Sequence, residues 1–94
     1  NKGRKGRYSN MMKVHKELIQ QALIAHEGQI EDEYHDYEYS IRSIEVKYYL
    51  GRHSGHVVQC ESVLDIYEKG EHIAIEPYTT NVWFNDDLTI DEII

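Results

Sequence analysis

Proline, cysteine, phenylalanine and tryptophan each occur once in 94 residues. The lone Cys60 excludes an internal disulfide and suits a reducing, cytoplasmic setting. No apolar run approaches the ~20 residues that a membrane helix needs, so no membrane partner is expected. No secretory leader is visible. Basic residues are scarce beyond position 16. From Glu17 on, four stand against all 17 acidic residues, a net of −13. The whole chain still carries only −7, because Lys2, Arg4, Lys5, Arg7, Lys13 and Lys16 sit in front with no acid among them. Such asymmetry points to electrostatic partners.

What is present is a globular composition for one domain. Hydrophobic residues make up 40%, enough for one core and too many for a disordered chain. Eight tyrosines supply most of the aromatic surface. Residues 1–9 hold four basic side chains and two glycines and read as a flexible arm. Residues 10–94 read as a single α+β domain. Met11, His15, Leu18, Ala22 and Ala25 recur at three- and four-residue spacing, which predicts an amphipathic helix over 10–27. Gly28 suits its C-terminal cap.

Strand patterns follow. Tyr37, Tyr39 and Ile41 alternate, and then the phase changes to Ile44, Val46, Tyr48 and Leu50. A period-2 strand holds both sets on one face only with an inserted residue, so a bulge is expected near Arg42–Ser43. A loop at 51–55 leads to a second strand, 57–67, with Val58, Cys60, Ser62, Leu64 and Ile66 on one face. Lys69-Gly70 predicts a tight hairpin turn. A third strand starts at His72 with Ile73 and Ile75 inward, and Pro77 marks an edge or an end. Val82, Trp83 and Phe84 make a fourth apolar run. Thr89-Ile90-Asp91-Glu92 has the form of a capping box and predicts a short C-terminal helical turn.

The outline is a helix packed on a three- to four-stranded antiparallel meander. The helix is expected to cover Ile44, Val46, Val58, Leu64, Ile66, Ile73 and Ile75. The other face, with Glu45, Lys47, Tyr49, Glu61, Asp65, Tyr67 and Glu76, is expected to meet solvent or a partner, and a homodimer is a separate expectation. The helix-then-strands order is similar to that of double-stranded-RNA-binding domains, in topology alone. Those domains use basic surfaces, and the acidic body departs from that.

Three constellations bear on function. His53, His56 and Cys60 are zinc-ligand types, but the histidines fall in the loop and Cys60 on the core face. His15, His26 and His35 read as structural or solvated histidines. No catalytic residue, metal or cofactor is expected. The third constellation is acidic. Strand residues at i and i+2 lie about 6.6 Å apart, so acids at that spacing roughly imitate a phosphate row. Glu31, Asp32, Glu33, Asp36 and Glu38 begin such a row, and Glu45, Glu61, Asp65 and Glu76 extend it. Tyr37 and Tyr39 suit protein contacts. Small acidic proteins that phages and mobile elements direct against host restriction or CRISPR systems are similar in charge and size. The leading expectation is therefore a non-enzymatic interaction protein. It would bind and occlude a basic surface on a partner, as a nucleic-acid mimic inhibiting a nucleic-acid-handling enzyme does. One alternative is a nucleic-acid-associated regulator that touches phosphate through Lys2, Arg4, Lys5 and Arg7 alone. A second is a small metal-dependent enzyme at His53, His56 and Cys60.

Overall fold

The computed structural model describes residues 2–50 and 55–94, with side chains from His15 onward. One helix, α1 (Lys2–Glu33), precedes four strands: β1 (Glu38–Leu50), β2 (His56–Glu68), β3 (Glu71–Phe84) and β4 (Ile90–Ile93). The strands pair in chain order as an antiparallel meander. The α1 helix lies across β2 and β3. The expected α+β layering is present.

In α1, Leu18, Ala22, His26 and Ile30 are fully buried at four-residue spacing, the stripe that a 3.6-residue period lays against a sheet. The helix runs past Gly28, which sits in its interior and not at its cap. Glycine there costs about 1 kcal/mol against alanine. Burying Ile30, two residues further on, returns roughly 1.5–3 kcal/mol, so packing carries the helix through. The chain then turns at Tyr34, whose N–H donates to the Ile30 carbonyl at 2.9 Å. Acids crowd this C-terminus and no basic residue stands in the last turn, against the macrodipole. The helix also takes in residues 2–9, expected as an arm. The side chains of Lys2, Arg4, Lys5 and Arg7 lie outside the described residues.

The sheet confirms the expected irregularity in β1. Its register with β2 shifts between Ile41 and Ser43, which makes Arg42 the inserted residue. The Lys69-Gly70 turn is also as expected. Both residues have positive φ, 51° and 80°, the signature of a type I′ hairpin turn. Pro77 pairs across from Val63 on β2, while β4 reaches only the Val82–Phe84 end of β3. Pro77 therefore stands on a free edge, where its missing N–H costs the ladder nothing.

Three expectations need correction. Ile73 and Ile75 are about half exposed, and so is Ile44. On β3 the inward row is Ala74, Tyr78, Thr80, Val82 and Phe84. The cause is a second bulge. Ile66 pairs with Ala74 but Tyr67 with His72, so Ile73 is an extra residue that resets the phase. Ile44 keeps the expected phase, but the helix leaves that part of β1 uncovered. Finally, the C-terminus is strand β4 and not a helical turn. The Thr89 hydroxyl is held backward by Asp87 Oδ1 at 2.6 Å, so it is not free to cap a helix ahead of it. Asn81 and Ile94 exchange two backbone hydrogen bonds at 2.8 Å.

The core divides into two apolar clusters. Leu18, Ala22, Val58, Cys60, Val82 and Phe84 form one. Ile30, Leu64 and Ile66 form the other, with Tyr34, Tyr39, Ala74 and Tyr78 against them. Between them lies a polar layer of one residue each from α1, β2 and β3. His26 Nδ1 is 2.8 Å from Thr80 Oγ1, and its Nε2 is 2.7 Å from Ser62 Oγ. All three are sealed from solvent. Among the described residues every buried polar side-chain atom has a partner.

Candidate interaction surface

The face of the sheet away from α1 is open, and its composition follows from strand register. At one end Tyr49, Val57 and Trp83 stand in one row across three strands. Val57 is only 7% exposed, although no described helix or strand covers this face, and it stands between the two aromatics. The next row is Lys47, Gln59 and Asn81, with Gln59 Nε2 donating to Asn81 Oδ1 at 3.0 Å. Then come Glu45, Glu61 and Thr79, followed by Ser43, Val63 and Pro77. Asp65 lies between Ser40 and Ile75.

Two carboxylates here differ in kind. Asp65 is nearly buried and accepts from Arg42 Nε at 3.1 Å and Nη2 at 2.8 Å, and from His72 Nε2 at 2.9 Å. The Arg42 hydrogen bonds, then that of His72, hold its carboxyl below the usual range. The inserted Arg42 is what aims the guanidinium at this spot. The bulge thus pairs the Asp65 carboxylate, whose charge is taken up by Arg42 and His72 and not offered outward. Glu45 and Glu61 are the opposite case. They face each other directly in the ladder, and among the described residues the cation paired with either is Lys47, 3.7 Å from Glu45. Like charges opposite one another are destabilising, so this pair is not explained by stability.

The remaining predicted residues scatter. Glu31, Asp32 and Glu33 end the helix, and Asp36 and Tyr37 form the exposed turn after it. Glu38 opens β1 across from Tyr67. His35 donates from Nδ1 to the Asp32 carbonyl at 2.9 Å. That bond, and then the Asp36 charge, raise its pKa. Tyr39 packs inward beside Ile30, Leu64 and Ile66. Glu76 pairs with Leu64 in register and so lies on the helix side, where it raises the Tyr34 pKa behind the larger effect of burial. Its expected place on the open face is wrong by one residue of phase, for the same reason as Ile75. The continuous acidic row is therefore split. One group sits at the helix end, one on the open face, and Glu76 is apart from both.

The metal-ligand types do not converge either. His56 and Cys60 lie four residues apart on β2, about 13 Å along an extended strand. The His56 Nδ1 is 2.6 Å from the Tyr48 hydroxyl. Cys60 is fully buried, which pushes its thiol up, and His53 lies outside the described residues. Among the described residues no three His, Cys, Asp or Glu side chains gather at metal distance, and no helix is long and apolar enough to cross a membrane.

The chain matches no family model, no curated protein and no solved structure.

Sequence reasoning missed the His26, Ser62 and Thr80 layer. A signal existed, since Ser62 interrupts an otherwise apolar inward row on β2. His26 and Ser62 sit at hydrogen-bond distance, as a base and a nucleophile would. Neither meets solvent, so the layer holds three elements in register and does not face a substrate.

Proposed function

We propose that this protein is a non-enzymatic binding module that presents its open sheet face to a basic surface on a protein partner. The observation that carries the reading is the Glu45 and Glu61 pair. Two like charges stand in register on an uncovered sheet face, with the exposed Tyr49 and Trp83 two rows away. A cationic side chain from outside relieves that repulsion. The aromatics supply contact area at low entropy cost. The net −13 of residues 17–94 adds long-range attraction for such a partner. Basic surfaces of this kind belong to nucleic-acid-handling enzymes, and an occupant with acids at strand spacing would block phosphate access to them.

The test is capture on immobilised protein, followed by kinetics with the purified partner. Variants E45Q and E61Q should slow association and flatten its salt dependence, because screening shortens from ~10 Å at 0.1 M to ~3 Å at 1 M. W83A should mainly speed dissociation. Unaltered rates at low salt in E45Q and E61Q refute the reading. Retention of the protein itself on duplex DNA would move the assignment to Lys2, Arg4, Lys5 and Arg7.

A further inference from the structure

We propose that β1 is the seam of a homodimer, pairing antiparallel with β1 of a second copy about a two-fold axis at Val46. The two edges of the sheet are built differently. The β3 edge is guarded by Pro77 and partly covered by β4. Those are devices that stop a strand from recruiting another chain. The β1 edge carries neither. From Ser43 to Leu50 its register with β2 is unbroken, so it is a regular edge with backbone groups on its outer side unpaired by any strand of this sheet.

The occupant follows from charge and symmetry. Glu45 and Lys47 are the charged residues of the bulge-free run, and they flank Val46. A two-fold axis at Val46 sets Glu45 opposite Lys47 of the second copy, and Lys47 opposite its Glu45. The same register sets Ser43 opposite Tyr49 and Ile44 opposite Tyr48, each across the seam. The run Ser43–Tyr49 is itself centred on Val46, so pairing extends about 23 Å before the bulge interrupts it. The partner is thus a second copy of this strand, the one sequence whose charges invert about that point by symmetry.

Apolar exposure agrees. On the helix side of β1, Ile41 is 38% exposed, Ile44 44% and Leu50 76%. The helix meets β1 through His15 on Tyr48, with ring centroids 4.4 Å apart, and through Tyr39 beside Ile30. It leaves Ile41 and Ile44 between them bare. A two-fold axis normal to the sheet puts both helices on one side, flanking a trough floored by Ile44, Val46 and Tyr48 of both copies. The open faces join on the other side into one eight-stranded surface.

Light scattering on the full chain over a concentration series tests this. Wild type should be a dimer. E45K and K47E should each raise its dissociation constant roughly tenfold or more, since two cross-strand pairs turn from attractive to repulsive. The double variant E45K/K47E restores the complementarity and should restore the dimer. V46C should cross-link to itself on mild oxidation, being opposite its own copy, while wild type, with Cys60 buried, should not. E61Q, which weakens partner binding under the open-face reading, should leave the dimer intact. A monomer at every concentration overturns the proposal. So does a dimer indifferent to E45K and K47E, or one broken by E61Q. Melting curves for each variant separate dissociation from unfolding.

Discussion

The ring of His26 closes on Ser62, with Nε2 and Oγ 2.7 Å apart and neither residue reached by water. Burial lowers the His26 pKa below the ordinary 6.5, against a smaller raising effect of Glu27. The native state therefore stays neutral where the unfolded chain already binds a proton. Stability should fall as pH drops from about 6.5 through the folded pKa. His35 acts with the opposite sign. Its folded pKa is raised, so its contribution is complete below about 6.5 and is lost as pH climbs through the folded value. Urea titrations across pH should show H26Q flattening the acid side and H35Q the alkaline side. A wild-type profile level below pH 6.5 would contradict the buried neutral histidine.

Leu64 and Ile75 offer a direct test of which row of each strand faces the helix. Leu64 is fully buried and Ile75 is 49% exposed. L64A should cost about 2–5 kcal/mol, and I75A under about 1 kcal/mol. Equal losses in chemical denaturation would mean the phase of β3 is misassigned.

Two glycines should respond to alanine with opposite signs. A Cβ at Gly28 or at Gly70 would meet no atom within 4 Å, so backbone preference alone decides. Gly28 is helical, and G28A should stabilise by roughly 0.5–1 kcal/mol. Gly70 has φ +80°, and G70A should destabilise by roughly 1–2 kcal/mol. Thermal melts of the two variants should move apart from wild type in opposite directions.

Arg42 is expected to matter through Asp65. The Asp65 carboxyl is held below its ordinary 3.8, first by Arg42 and then by His72. The stability it confers is present above about pH 3.8 and is lost as pH falls through the folded value. R42A should lower stability at neutral pH and make the acid limb below pH 3.8 shallower. An acid limb as steep as wild type would remove Arg42 as the cause.

Much of this architecture was written in local patterns. The phase change after Ile41 located the bulge at Arg42, because a strand cannot change face without an added residue. Lys69-Gly70 and Pro77 were legible from backbone preference alone. Misreadings arose where tertiary packing decided. Gly28 signals a cap by its own chemistry, but Ile30 beyond it is pulled into the core. The second bulge, at Ile73, leaves no mark, because Ile73 and Ile75 are as apolar as the inward Ala74 and Val82. The capping-box letters at Thr89 are real, yet Asp87 takes the hydroxyl and Ile94 pairs with Asn81. Of the candidate surface, residue types were legible but their grouping was not. Glu45 meets Glu61 only through a register fixed by the bulge, and the same bulge withdraws Asp65.

The polar layer ties His26 to Ser62 and Thr80 over sequence separations of 36 and 54 residues, and this has a consequence for how the chain is made. Strand neighbours are chain neighbours, so the hairpins close locally and early. The helix is synthesised before the strands, and its apolar stripe rests on β2 and β3. At ~5–20 residues per second, Leu18 waits roughly 3–13 s before Phe84, in the same cluster, has been added. Until then the Leu18 and Ala22 end of the stripe lacks part of its cover. The acids from Glu31 to Glu38 follow that stripe directly in the nascent chain, and like charge at the flank of an exposed apolar segment is what keeps neighbouring polysome products from sticking.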